Sequence, residues 1–293
     1  MVGIFSLSTG ALFDIAIAPW SGKGTGEHTL LRQLMHVFKK GDIVIADAYY
    51  ASFFLIAMLI QIGVDVVFPQ HASRHSDFRT GKRLGKGDHL VEWTKPAKPQ
   101  WMNQDEYANF PKKISMRETK IVSNCPGYRS KPRVIVTTFI DKKDVTPADL
   151  GELYSFRWFV ELNLRSVKET MRMDVLRCQT PAMVRKEIWT HILAYNLIRK
   201  VMLQSAMIHK RSPREMSFKL ALQAISAFRQ AGILCESNRQ HYDLFLQVIA
   251  SRKTGKQKRR SEPRMIKRRP KAFPRMQKPR AFYHKKEKAA CLS

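Results

Sequence analysis

The stretch YSFRWFVELNLRSVKETMRM, residues 154–173, is the most informative part of this chain. Its phenol and charges follow the spacing Tyr154-x2-Arg157-x3-Glu161-x6-Lys168. On a helix turning by about 100° per residue, with Tyr154 at 0°, Arg157 falls at about −60°, Glu161 at about −20° and Lys168 at about −40°. The four are expected to share one polar stripe of a single helix spanning residues 149–172. Leu153, Val160, Leu164, Val167 and Met171 fall between about −80° and −140°, so an apolar seam runs beside that stripe. A carboxylate flanked by two cations and a phenol suits work on a phosphate backbone. The spacing also admits a plainer reading, because Arg157 and Glu161 stand at i,i+4 and can pair as a solvated salt bridge.

Working outward, the chain has 293 residues and a hydrophobic content of 44%, enough for a sizeable core. Its net charge of +28 makes nucleic acid the first-choice partner, since neutralising phosphates releases counterions. Cys125, Cys178, Cys235 and Cys291 are widely spaced without CxxC pairing. That pattern argues against a disulfide scaffold or a zinc ribbon and fits a cytoplasmic protein. No apolar run reaches the roughly 18 residues that span a bilayer. The N-terminal stretch has no basic flank and is interrupted by Asp14, so it reads as structure rather than as a targeting signal.

Residues 2–9 and 12–18 read as a β-hairpin across Gly10-Ala11. A helix over 27–39, a buried strand ending at Asp47, a helix over 51–62 and a buried strand at 64–70 follow. The order is that of an α/β fold, and it matches a ribonuclease H-like core from which the first strand is missing. Residues 71–148 are rich in Pro and Gly, with short β-like runs at 89–93, 114–122 and 133–140, and read as a β-rich insertion between the core (1–70) and the helical part (149–250). Helices are expected at 149–172, 181–207, 214–231 and 240–250. The tail, 251–293, holds 17 Lys/Arg against Glu262 and Glu287, and is expected to be disordered when free. Phe273, Phe282 and Tyr283 interleave with its cations and are expected to stack on bases or sugars.

Two-metal phosphodiester chemistry needs carboxylates that converge from strand ends and an adjoining helix. Asp47, closing the run DIVIAD, stands where such a ligand is needed, although it could equally cap the following helix. Four other features invite sharper readings than they support. SGKGTGE lacks the P-loop pattern and reads as a flexible turn. His71, His75, Asp77 and His89 fit no established ligand spacing. Trp158, Trp189 and Tyr195 read as core or interface aromatics, and Asp174 as a turn or cap residue.

The Tyr-Arg-Glu-Lys spacing resembles the signature of the insertion-sequence-4 family of bacterial DDE transposases. IADAYYASFFL, GKGTGE, DVVFPQHASR, DHLVEWTKP, DVLRCQTPAMVRKEIWTHILAYNLIR and EPRMIKRRPK are also similar to that family, so the resemblance covers essentially the whole chain. It implies cut-and-paste transposition: Mg²⁺- (or Mn²⁺-) dependent cleavage at transposon ends, then strand transfer into target double-stranded DNA. It implies that Asp47 and Glu161 hold the metal as catalytic carboxylates and that Tyr154, Arg157 and Lys168 grip the DNA. Arg165 is taken with them as a DNA-binding candidate. Relatives often carry Arg after the second aspartate, where this chain has Ala48. The family's first catalytic aspartate belongs to a strand preceding the hairpin, and Asp14 is wrongly placed to replace it. The expectation is therefore an N-terminally truncated enzyme, inactive alone, whose family acts as homodimers on paired ends. The alternative is a catalytically dead remnant that only binds DNA.

Overall fold

A computed structural model of the protein describes residues 1–122, 132–232, 239–252 and 254. The hairpin forms as β1 (Val2–Phe5) and β2 (Leu12–Ala16), an antiparallel pair with Val2 opposite Ala16 and a bulge between Ile4 and Phe5. Its turn needs glycine on two counts. Gly10 has a φ of +82°, and a Cβ there would lie 2.9 Å from Cζ of Arg199.

Helix α1 (Glu27–Gln33) is shorter than its periodicity suggests. Leu34 donates its N–H to Leu31 at 2.9 Å, tightening the chain into a 3₁₀ turn at Met35–Val37 that buries Leu34. Strand β3 (Ile43–Ile45) then runs parallel to β4 (Asp65–Pro69), with α2 (Phe53–Gln61) as the crossover that parallel pairing requires. β3 is half-buried rather than buried as expected, because it is the terminal strand of its sheet and Ile43 keeps 44% of its surface in solvent. In β4, Val66, Val67 and Phe68 are all fully buried, which explains why that strand reads as an unbroken apolar run.

The β-like runs expected between residues 71 and 148 form as β6 (Asp88–Thr94), β7 (Lys113–Ile121) and β8 (Arg133–Thr137), together with β5 (Lys82–Gly85) and a short capped helix α3 (Gln104–Ala108). They extend the sheet of β3 and β4. β8 pairs antiparallel with β4, and the strand order is β3-β4-β8-β7-β6-β5. Val66, Phe68, Met116 and Val136 pack with Leu30, Ile56 and Leu59 of α1 and α2, while Val67 and Ile135 point the other way onto Leu150. Leu150 belongs to α4 (Pro147–Ser155), which opens on Thr146 and Asp149 as a reciprocal capping box.

β7 also carries charge into the interior. Arg117 is fully buried and grips Asp88 through two hydrogen bonds of 2.9 and 2.8 Å, while its Nη1 donates to Val145 O at 2.6 Å. Glu118, on the opposite face, accepts from Trp93 Nε1 at 2.9 Å, from Ser76 and from His89.

The expected helix over 149–172 does not form as one piece. α4 ends at Ser155, α5 runs from Trp158 to Arg165, and Ser166–Thr170 form a π-type turn. At the junction Phe156, Arg157, Phe159 and Val160 each donate to the carbonyl three residues back, which over-winds the chain, while Met171 donates to Ser166, which under-winds it. A fixed turn of 100° therefore fails on both sides of Glu161.

The remaining helices are α6 (Pro181–Ile208), α7 (Phe218–Gln230) and α8 (Arg239–Ser251). Their core of Ile192, Tyr195, Met202, Phe218, Phe245 and Ile249 also receives Leu12 and Ile15 of the hairpin. Asn196 completes that docking, accepting from Leu12 N at 2.9 Å and donating to Leu12 O at 2.8 Å. Tyr195 is buried as expected, but Trp158 and Trp189 are about half exposed and are not core residues. Among the described residues no helix is long and apolar enough to cross a membrane, and Cys178 is a free thiol. Cys125, Cys235, Cys291 and nearly all of the basic tail, with its aromatic residues, lie outside the described residues.

Two outcomes are expected from urea unfolding. Arg117→Ala leaves Asp88 buried and uncompensated and should cost about 3–5 kcal/mol, whereas replacing both partners with Met and Leu should recover most of the loss. Gly10→Ala meets both the positive φ and Arg199, and should cost more than about 1 kcal/mol.

Candidate active site and nucleic-acid interface

Asp47 leaves β3 in an extended conformation and caps the 3₁₀ turn Ala48–Tyr50, its Oδ1 accepting from Tyr49 N at 2.9 Å. The capping role is thus realised, and the carboxylate stays exposed at the carboxyl end of the strand. Beside it, Tyr50 donates to Glu27 Oε2 at 3.2 Å. Burial, then the negative charge of Glu27, then that of Asp47 push the Tyr50 phenol well above its ordinary range.

Tyr154 sits on the last turn of α4. It packs in the small cluster of Val67, Ile135 and Leu150, which also takes in Ile45, two residues before Asp47. Its ring is flanked by Arg133, whose Cζ lies 5.3 Å from the centroid. Arg157, at the α4–α5 junction, contacts Tyr154 and donates to Glu161 Oε1 at 2.5 Å. Burial pulls the Arg157 guanidinium down, but the bonds to Glu161 and Tyr154 outweigh it and the group is held above its ordinary value. Arg133, Tyr154, Arg157 and Glu161 thus form one contiguous chain of contacts.

The other two candidates stand apart from that chain. Arg165 is exposed and lies 3.7 Å from Glu169, a loose surface pair. Lys168 is exposed in the π-type turn, so it does not continue the stripe of Tyr154, Arg157 and Glu161 as the uniform helix implied. Asp47 and Glu161 are engaged separately, one by its own loop and the other by Arg157. Among the described residues no group of three or more His, Cys, Asp or Glu side chains gathers closely enough to hold a metal ion. His71, His75, Asp77 and His89 accordingly make no such site. Asp77 pairs with Arg79, and His89 is buried with one nitrogen on Thr80 O and the other on Glu118.

Sequence reasoning missed what holds α5 from behind. Asn163, two residues beyond Glu161 and so on the opposite face, is fully buried. Its Oδ1 accepts from Arg199 Nη2 at 2.9 Å and from Arg214 Nη1 at 2.8 Å, and its Nδ2 has no partner. Arg199 Nε donates to Tyr195 Oη, which donates to Gly10 O, and Arg214 donates to Ser6 O and Leu7 O. Burial and then the charge of Arg199 pull Arg214 down to about 10. The available signal was a lone amide on an otherwise apolar helix face.

The profile of the Transposase DDE domain family matches residues 1–197, a span that contains Asp47, Tyr154, Arg157, Glu161, Arg165 and Lys168. The chain is also similar to the Transposase InsG for insertion sequence element IS4 of Escherichia coli (strain K12), at 26% identity over 257 residues, covering 85% of this chain and 55% of the relative. It therefore spans about half the length of that curated relative. The family match over most of the chain shows that the chain belongs to the DDE transposases.

Proposed function

We propose that the chain contributes the second and third carboxylates, Asp47 and Glu161, to metal-dependent cleavage of transposon ends and strand transfer into target double-stranded DNA. The observation that carries this reading is the contact chain from Arg133 through Tyr154 and Arg157 to Glu161. It begins at the end of the sheet where β3 delivers Asp47. In this reading the hairpin and the β3–β4 pair are parts of a ribonuclease H-like sheet. A first strand would lie between them, against β3, which is terminal in its own sheet.

Mg²⁺, or Mn²⁺, would supply charge stabilisation at the scissile phosphate and an activated water. Among the described residues no third donor gathers with Asp47 and Glu161 to complete a two-ion site. The residues present do definable work on the DNA. With no phosphate at hand, Arg157 satisfies Glu161. An arriving phosphate would draw the guanidinium into a charge-assisted bidentate contact and leave Glu161 free to act as a ligand. Tyr154 holds that guanidinium through a side-chain hydrogen bond, and Arg165 and Lys168 add exposed positive charge farther along. We assign the protein to the bacterial cytoplasm, on the nucleoid, working as a homodimer on paired ends.

A second reading, binding without cleavage, is favoured by the engagement of Glu161 with Arg157. A Mg²⁺-dependent nicking assay on the element's end duplex separates the two. Cleavage by a form extended with an upstream strand that carries a first aspartate, abolished there by Glu161→Gln with DNA binding retained, supports the enzyme reading. Binding with no cleavage in either protein supports the second. The charge of +28 sets a further expectation, read by fluorescence anisotropy. If 6–10 phosphates are contacted, affinity for duplex should fall by roughly 10³–10⁵ between 50 and 200 mM salt.

A further inference from the structure

The sheet register puts one more cation at the reacting end than the signature contains. Ile45 lies opposite Val67 in the parallel pair, so two residues on Asp47 stands level with Pro69. On the other side of β4, Pro69 faces Ile135, and Gln70 N donates to Val134 O at 2.9 Å, so Arg133 stands level with His71. Asp47 and Arg133 therefore emerge from the same end of the sheet with only β4 between them. Strand spacing makes their lateral separation about 10 Å, and the two-residue step adds about 7 Å along the strands, giving roughly 12 Å.

Arg133 is exposed, opens β8, and makes no ion pair with a carboxylate among the described residues. Its guanidinium is oriented by the Tyr154 ring, whose other neighbour is Arg157. A planar cation laid on an aromatic face loses little freedom when it takes up a phosphate, so this position is better prepared for a backbone contact than a free lysine would be. We propose that Arg133 is a further DNA-contact residue. It grips a backbone phosphate along the strand from the phosphate at Asp47, with the Tyr154 side chain contacting both it and Arg157. This inference rests on the transposase reading given above and adds to it the path of the strand, across the carboxyl ends of β3 and β4 and onto the start of β8.

The test is a salt titration of duplex binding by the full chain, comparing wild type with Arg133→Gln, Arg133→Lys and Arg83→Gln. Arg83 is an exposed cation on β5, at the far edge of the same sheet, and serves as the reference for diffuse attraction. Arg133→Gln should weaken binding roughly tenfold at fixed salt. It should also reduce the slope of log affinity against log salt by about 0.9. Arg133→Lys should keep the slope, and Arg83→Gln should change neither quantity appreciably. Equal losses in Arg133→Gln and Arg83→Gln would overturn the proposal while leaving DNA binding intact. Failure of Arg133→Lys to keep the slope would also overturn it, provided circular dichroism shows that variant folded. A wild-type chain that binds no duplex at any salt would instead bring down the transposase reading and this inference with it.

Discussion

One amide oxygen holds the parts of this molecule in register. Oδ1 of Asn163 accepts from two guanidinium groups, and through them α5 is fastened to α6, to the chain before α7 and to the hairpin turn. Both arginines give their hydrogen bonds to neutral acceptors, and burial first, then the charge of Arg199, pulls Arg214 well below an ordinary arginine. Such a node is costly to build and costly to break. Removing the amide would leave a buried and a half-buried cation facing each other without the acceptor that reconciles them.

The node also explains how a reactive face can be presented on an over-wound stretch of helix. The α4–α5 junction and the π-type turn flank Glu161 on either side, so local helical geometry alone would leave its direction soft. Asn163 pins the back of α5 two residues away, and Arg157 and Tyr154 hold the front. The carboxylate is clamped between a buried anchor and a half-exposed partner.

Much of this was legible before any coordinates. The hairpin, the β3-α2-β4 unit, the strands between residues 88 and 137 and the long C-terminal helices all follow from apolar periodicity and turn residues. The capping geometry of Asp47 was anticipated, whereas Tyr154, Arg157, Glu161 and Lys168 do not share one uniform helix as their spacing implied. What could not be read depends on partners distant in sequence. The break at Phe156–Arg157 carries no proline or glycine, and the residues there keep helical dihedral angles; only the hydrogen-bond spacing changes. The half-burial of β3 depends on its having a neighbour on one side only. Arg133 gains significance from the pairing of β8 with β4, which no local pattern encodes.

The docking of the hairpin onto Asn196 has a temporal side. Leu12 and its partner are separated by 184 positions, and the apolar residues Leu12 and Ile15 find cover only when α6 exists. At ribosomal speeds of about 5–20 residues per second, such an interval lasts on the order of ten to forty seconds. Throughout it the hairpin is a two-stranded ribbon with an uncovered apolar side, too small to be stable by itself. A newly made copy therefore passes through a window in which its N-terminal strands are open to chaperones, to proteases and to the strands of neighbouring nascent chains. The abundance of this transposase is then set partly by how quickly α6 arrives.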